Sequence, residues 1–120
     1  MFSFLLYKNI LIKLYMNQIL NYINENYKNK LVNFKFVPKD KLWQLKKNDY
    51  IKLIKINDLK YIDAGKIVKI EKNWNYIKVY NYFIKKYKII YPKDYYIYFK
   101  KYLNKNDLFR QSLEEIFNKI

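Results

Sequence analysis

A chain of 120 residues that keeps one glycine and two prolines has nearly given up the residues that turn a backbone most easily. Its one glycine, Gly65, marks a place where the backbone is expected to need a positive φ or the close approach of another strand. It stands in Asp63-Ala64-Gly65-Lys66-Ile67-Val68-Lys69-Ile70 and opens an alternating run over 65–71. A first alternating run, over 50–56, directs Ile51, Leu53 and Ile56 toward a core with lysines between them. Residues 57–64 read as the loop between these two strands, beginning at Asn57-Asp58. Lys72-Asn73-Trp74-Asn75 reads as the tip of the next hairpin. The third strand, over 76–83, sets Ile77, Val79 and Asn81 on one face. Shorter strands are expected at 88–91 and 95–99, separated by a turn at Pro92-Lys93-Asp94. Five short strands at this spacing predict a small, strongly bent barrel.

The flanks read differently. Over 2–27, apolar residues fall at 4, 5, 11, 12, 15, 16, 19, 20 and 23, the stripe of an amphipathic helix. Leu31-Val32-Asn33-Phe34-Lys35-Phe36-Val37 alternates as a short strand and ends at Pro38. At the other terminus Asp107 is placed to cap a helix over 108–117. Phe109, Leu113, Ile116, Phe117 and Ile120 share one face of that helix. The expected architecture is therefore α+β, mostly β with flanking helices. Residues 1–45 form a helix-and-strand extension, 46–103 the barrel and 104–120 the terminal helix. No internal repeat or flexible linker interrupts the chain.

Composition speaks to the partner more than to the fold. Lys, Asn, Ile, Tyr and Phe make up about two thirds of the chain, and lysine outnumbers arginine 24 to 1, the exception being Arg110. All are read from A- and T-rich codons, so the skew points to an extremely AT-rich genome such as that of an organelle. Codon drift does not explain the sign balance of 25 basic against 10 acidic residues, a net charge of +15. Self-repulsion on that scale is tolerable when the domain lies against a polyanion. Nucleic acid is the first such partner to expect, and an anionic membrane surface the second.

The chain has no cysteine and no histidine, which excludes disulfides, thiolate chemistry, and metal or acid–base sites built on histidine. The conspicuous pair of carboxylates, Glu114-Glu115, is adjacent and so falls on different helix faces. No catalytic residue, metal ligand or cofactor is expected, and no small-molecule substrate. Lys8, Asn9, Lys13, Asn17, Gln18 and Asn21 interrupt the apolar N-terminal segment, so no run reaches the roughly 18–20 residues of a transmembrane span. No small-residue cleavage site follows it, and an organelle-encoded protein would need no import sequence.

Lys46-Lys47-Asn48-Asp49-Tyr50-Ile51-Lys52-Leu53-Ile54, followed by Asp63-Ala64-Gly65-Lys66-Ile67-Val68-Lys69-Ile70, resembles the KOW motif. In that motif a polar-Asp pair opens a strand, and a glycine after the loop bends the backbone so that two strands of an SH3-like barrel close up. Ile77-Lys78-Val79-Tyr80-Asn81-Tyr82-Phe83-Ile84-Lys85-Lys86-Tyr87-Lys88 extends the likeness to the bacterial-type large-subunit ribosomal protein twenty-four family. The family's further glycines, in the loop before Gly65 and before its Asn turn, are absent here. The resemblance covers residues 46–88, and it implies binding to large-subunit ribosomal RNA beside neighbouring ribosomal proteins, in an organelle, expected to be the mitochondrion. Lys46, Lys47, Lys66, Lys69, Lys85, Lys86 and Lys88 match the family's basic positions, and Gly65 its structural turn. Lys72, Lys78 and Trp74 complete the candidate RNA-binding set, with Trp74 as the expected base-stacking side chain. From other classes, an accessory subunit of a mitochondrial respiratory membrane complex or a KOW-type transcription factor is the alternative.

Overall fold

The computed structural model describes residues 2–103 and 105–119, with the side chains of 2–6, 105, 107, 111 and 119 outside the described set. The side chains of Phe4 and Leu5, and Ile120, fall outside the described residues. The C-terminal helix already starts at Lys105, so Asp107 lies inside its first turn and is not the cap expected from the sequence. The elements run α1 (Phe2–Tyr27), β1 (Lys35–Val37), β2 (Tyr50–Lys55), β3 (Tyr61–Ile70), β4 (Ile77–Asn81), β5 (Lys86–Ile90), β6 (Tyr95–Lys100) and α2 (Lys105–Lys119). Short 3-10 segments fill Lys39–Gln44, Lys72–Trp74 and Pro92–Asp94. The strands form one antiparallel sheet in the order β1-β6-β2-β3-β4-β5. The fold is thus α+β and mostly antiparallel sheet, as the alternation predicts. The sheet does not close on itself: β1 and β5 remain its edges.

Gly65 meets both conditions that its isolation implied. Its φ is +106°, and a Cβ built there would lie 2.3 Å from the Tyr80 carbonyl oxygen. It pairs with Ile51 where the β2–β3 register slips, so that Lys52 pairs with Asp63 and Ala64 forms a bulge. The bulge bends a long strand and brings β4 against it. Strand boundaries differ from expectation: β3 begins at Tyr61, not at Gly65, β1 starts only at Lys35, β4 ends at Asn81 and β5 starts at Lys86. The β2–β3 connection is short because the Asp58 side chain accepts from Lys60 N (3.1 Å) and Lys55 O accepts from Leu59 N (2.8 Å). That closes the turn without glycine, with Leu59 held at a φ of +55°.

Alternation splits the buried residues between two faces. Ile51 and Leu53 of β2, Ile67 of β3, Ile77 and Val79 of β4, Ile90 of β5, Ile97 of β6 and Val37 of β1 share a single inner core. Every strand contributes to it, including both edges, so the sheet curls around that core. On the outer face Ile54, Tyr96 and Tyr98 form a second cluster with Phe36 and Tyr61, and α1 closes it. The helix packs through Met16, Ile19, Ile23 and Tyr27, spaced three and four apart, with Ile23 fully buried. The Tyr27 hydroxyl also donates to Leu59 O at 2.7 Å. N-terminal to Met16, the described side chains from Tyr7 to Tyr15 are all exposed. So are all described side chains of α2. Neither helix is long and apolar enough to cross a membrane, over the described residues.

Asp49 ties the two ends of the sheet segment together. Its side chain is only 4% exposed. One carboxylate oxygen accepts from Lys46 N at 3.0 Å and the other from Tyr102 N at 3.1 Å. Its carbonyl accepts from Ile67 N, and Asn48 N donates to Ile67 O, each at 2.8 Å. A buried carboxylate satisfied by backbone donors holds the start of β2 against the exit of β6.

Candidate nucleic-acid interface

α1 covers only one half of the outer face. Along β6 and β2, Tyr96, Tyr98 and Ile54 lie beneath the helix cluster. Two residues on from Tyr98, at Lys100, the same alternation phase emerges into solvent. From there a row of directly paired positions crosses five strands: Lys100 to Tyr50, Tyr50 to Lys66, Lys66 to Tyr80, and Tyr80 to Tyr87. Directly opposed residues project to one side of a sheet, so the five side chains share a face. A second row runs Lys69 to Lys78 to Ile89. This half of the sheet is therefore a surface of lysines interleaved with aromatic rings.

The aromatic and cationic groups touch one another. Tyr80 lies 4.8 Å between ring centroids from both Tyr87 and Tyr82. The Lys78 ammonium sits 4.8 Å from the centre of the Tyr87 ring, and the Lys66 ammonium 5.0 Å from that of Tyr102. These cation–π contacts hold the side chains in place while keeping each charge on the surface. No carboxylate stands in the first row. Beside the second, Glu71 pairs with Lys69 at 3.5 Å. The nearby Tyr76 and then Glu71 raise the Lys69 ammonium, while hydrogen bonding from the Tyr76 hydroxyl leads in holding Glu71 below the usual carboxylate range. Lys69 thus carries its charge next to a compensating one. Lys66, Lys78 and Lys100 have no carboxylate within salt-bridge distance among the described residues. The surface can neutralise phosphates and offers π faces for unpaired bases.

The residues singled out from the sequence separate into groups. Lys66, Lys69 and Lys78 come together on the open face. Lys86 and Lys88 lie on the edge strand β5, opposite Asn81 and Val79 and so in the inner phase. Lys85 sits in the β4–β5 turn at a φ of +53°. That turn also carries Phe83, 90% exposed at its tip. Asn81 shapes it: the side-chain oxygen accepts from Phe83 N and Ile84 N, and its amide donates to Asp63 O at 2.9 Å. Lys46 and Lys47 are exposed in the loop before β2, and Lys72 in the 3-10 turn before β4. Trp74 sits in that same turn, partly buried against the inner core, with its indole Nε1 buried and unpaired. The fully offered indole is instead Trp43, 62% exposed.

Sequence reasoning misses Tyr50, Tyr80, Tyr87 and Lys100 as surface candidates. Tyr50 and Tyr80 each sit beside a buried residue, Ile51 and Val79, a signal present in the sequence, whereas Tyr87 and Lys100 carry no such signal. Their alignment into a row depends on the slips of register at Ala64 and Val68, which no residue pattern announces. No protein-family model, no curated protein and no solved structure matches this chain.

Proposed function

We propose that this chain is an RNA-binding structural protein of the large subunit of an organellar, expected to be mitochondrial, ribosome, built as a divergent KOW-type SH3-like barrel. The observation that carries RNA binding is the open outer half-sheet, where Lys100, Tyr50, Lys66, Tyr80 and Tyr87 align across five strands. A net charge of +15 favours a polyanion, and lysine point charges give affinity with little sequence readout. Interleaved tyrosines favour RNA with unpaired bases over a membrane surface.

The barrel reading is supported by strand order and curvature. Strands β6-β2-β3-β4-β5 run consecutively apart from β6, and a single 3-10 turn at Pro92–Asp94 delivers the chain from β5 to β6. Residues from both sheet edges share the inner core, as in a partly open barrel. The ribosomal assignment rests on the resemblance over residues 46–88 and on the two unpaired helix segments suited to neighbours in an assembly.

Filter binding of the full chain to a structured RNA with single-stranded loops tests the first part. Affinity falls linearly on a log–log plot against salt, and the pair Lys66→Glu, Lys78→Glu weakens binding and flattens that slope by about two counterions. Unchanged affinity and slope in the pair would remove the half-sheet as the interface. Mass spectrometry of gradient-purified ribosomal subunits tests the second part. Recovery only in free or membrane fractions would sink it.

A further inference from the structure

A separate cleft of about 570 Å³ opens at the β1 edge. It is lined by Trp43, Lys35, Lys41, Lys46 and Lys101, together with the buried Asp49. Lys35 pairs with Phe99, whose side chain packs on the inner core, so the cleft lies on the opposite side of β6 from the Lys100–Tyr87 row. All four lysines are exposed, and none is in an ion pair among the described residues. Both oxygens of Asp49 already accept backbone hydrogen bonds, so its carboxylate is held in place by the fold.

The indole is placed by its neighbours. Leu42 packs on the inner core and Leu45 is buried in it, anchoring the segment Lys39–Gln44 at both sides of Trp43. Lys39 ties the same segment to the turn before β6, donating to Pro92 O and Tyr95 O. Burial at that site lowers its ammonium, with Asp94 opposing. The segment is therefore fixed, and Trp43 remains 62% exposed at its surface. A large planar ring on an anchored turn, in a cleft also lined by four exposed lysines, matches the two halves of one nucleotide: a base face and its flanking phosphates.

We propose that this cleft binds an unpaired nucleotide of RNA, with the base stacked on Trp43 and the adjacent phosphates neutralised by Lys35, Lys41, Lys46 and Lys101. The proposal rests on the RNA-binding reading above and adds a second, single-strand-specific contact on the other side of the domain. With both sides engaged, the domain sits embedded in RNA instead of resting on one surface of it.

Tryptophan fluorescence tests this, because the chain has two tryptophans and Trp74→Phe leaves Trp43 as the reporter. The full-length variant is titrated with a single-stranded oligoribonucleotide, the same sequence as a duplex, inorganic polyphosphate and polyglutamate. The single strand is expected to quench Trp43 strongly and the other three weakly. Trp43→Ala is expected to lower single-strand affinity about 5- to 100-fold, the range of one base–aromatic stack, while Trp43→Phe keeps part of it. Equal quenching by duplex or polyphosphate means charge alone fills the cleft, and equal quenching by polyglutamate means an acidic protein does. Either result overturns the proposal. Salt-dependent RNA binding with a silent Trp43 overturns the cleft alone, whereas absence of RNA binding at every salt concentration overturns the half-sheet reading as well. Should Trp74→Phe fail to fold, the difference signal between wild type and Trp43→Phe reads the same outcome.

Discussion

The carbonyl of Tyr80 occupies the space where any side chain at residue 65 would begin. Gly65→Ala therefore forces β4 away from β3 and holds alanine at a φ of +106°, and the expected loss is about 3 kcal/mol or more, read from the urea midpoint. Elsewhere the chain turns without glycine. Asparagine takes three left-handed positions, Asn33, Asn48 and Asn73, where its short polar side chain tolerates the conformation. Lys85 takes another at φ +53° with no such tolerance. Lys85→Gly is expected to raise stability by about 0.5–1 kcal/mol, since relief of the left-handed strain outweighs the added chain entropy. If Lys85 also touches phosphate, RNA binding of this variant loses about one counterion of salt dependence. The need for Gly65 was legible as an anomaly of composition. The left-handed Lys85 was not, because lysine carries no signal for that conformation.

At the scale of elements, both terminal helices were legible from their apolar spacing, but whether each stripe is covered was not. Spacing reports that a face exists, and only packing says what lies on it. The C-terminal half of α1 is part of the domain, so Ile23→Asp is expected to detach it and expose Tyr96 and Tyr98, at a cost of several kcal/mol. Leu11→Asp, on the exposed half, is expected to leave stability within about 0.5 kcal/mol of wild type by the same urea measurement. Truncation after Leu103 removes α2, whose described side chains are all exposed, and is likewise expected to leave the sheet's midpoint unchanged. A large drop on truncation would mean that α2 packs on the domain.

For the whole molecule, the curled sheet makes stability sensitive to alkali. Burial pushes the phenols of Tyr61 and Tyr98 up to about 12 from the ordinary 10.0, with Asp63 adding to the shift at Tyr61. An unfolded chain releases these protons near pH 10 while the folded one keeps them, so the folded state binds more protons in between. Stability is full below about pH 10 and is lost as pH rises toward about 12. Urea midpoints across that window are expected to fall. Tyr96 is raised by burial as well, so Tyr98→Phe, which removes one of these ionisations, is expected to shrink the fall without abolishing it. The same global arrangement decides which surface is offered: α1 seals one half of the outer face and leaves the other half as a basic, aromatic surface.

The order of residues along the chain is enough to say which of them alternate, where the backbone needs glycine, and that the chain carries a net charge of +15. These are local or summed properties, read from neighbours along the chain or from its total charge. Tertiary structure alone decided that Tyr96 and Tyr98 are core while Tyr50 and Tyr87 are exposed with Tyr80 half-buried beside Tyr87, although all five share one alternation phase. It also decided that Trp43 is offered and Trp74 packed. The physical reason is the same in each case. Alternation assigns a side chain to a face of the sheet, but its burial depends on what the chain lays over that face. For this protein that depends on the reach of one helix and on two slips of register in β3.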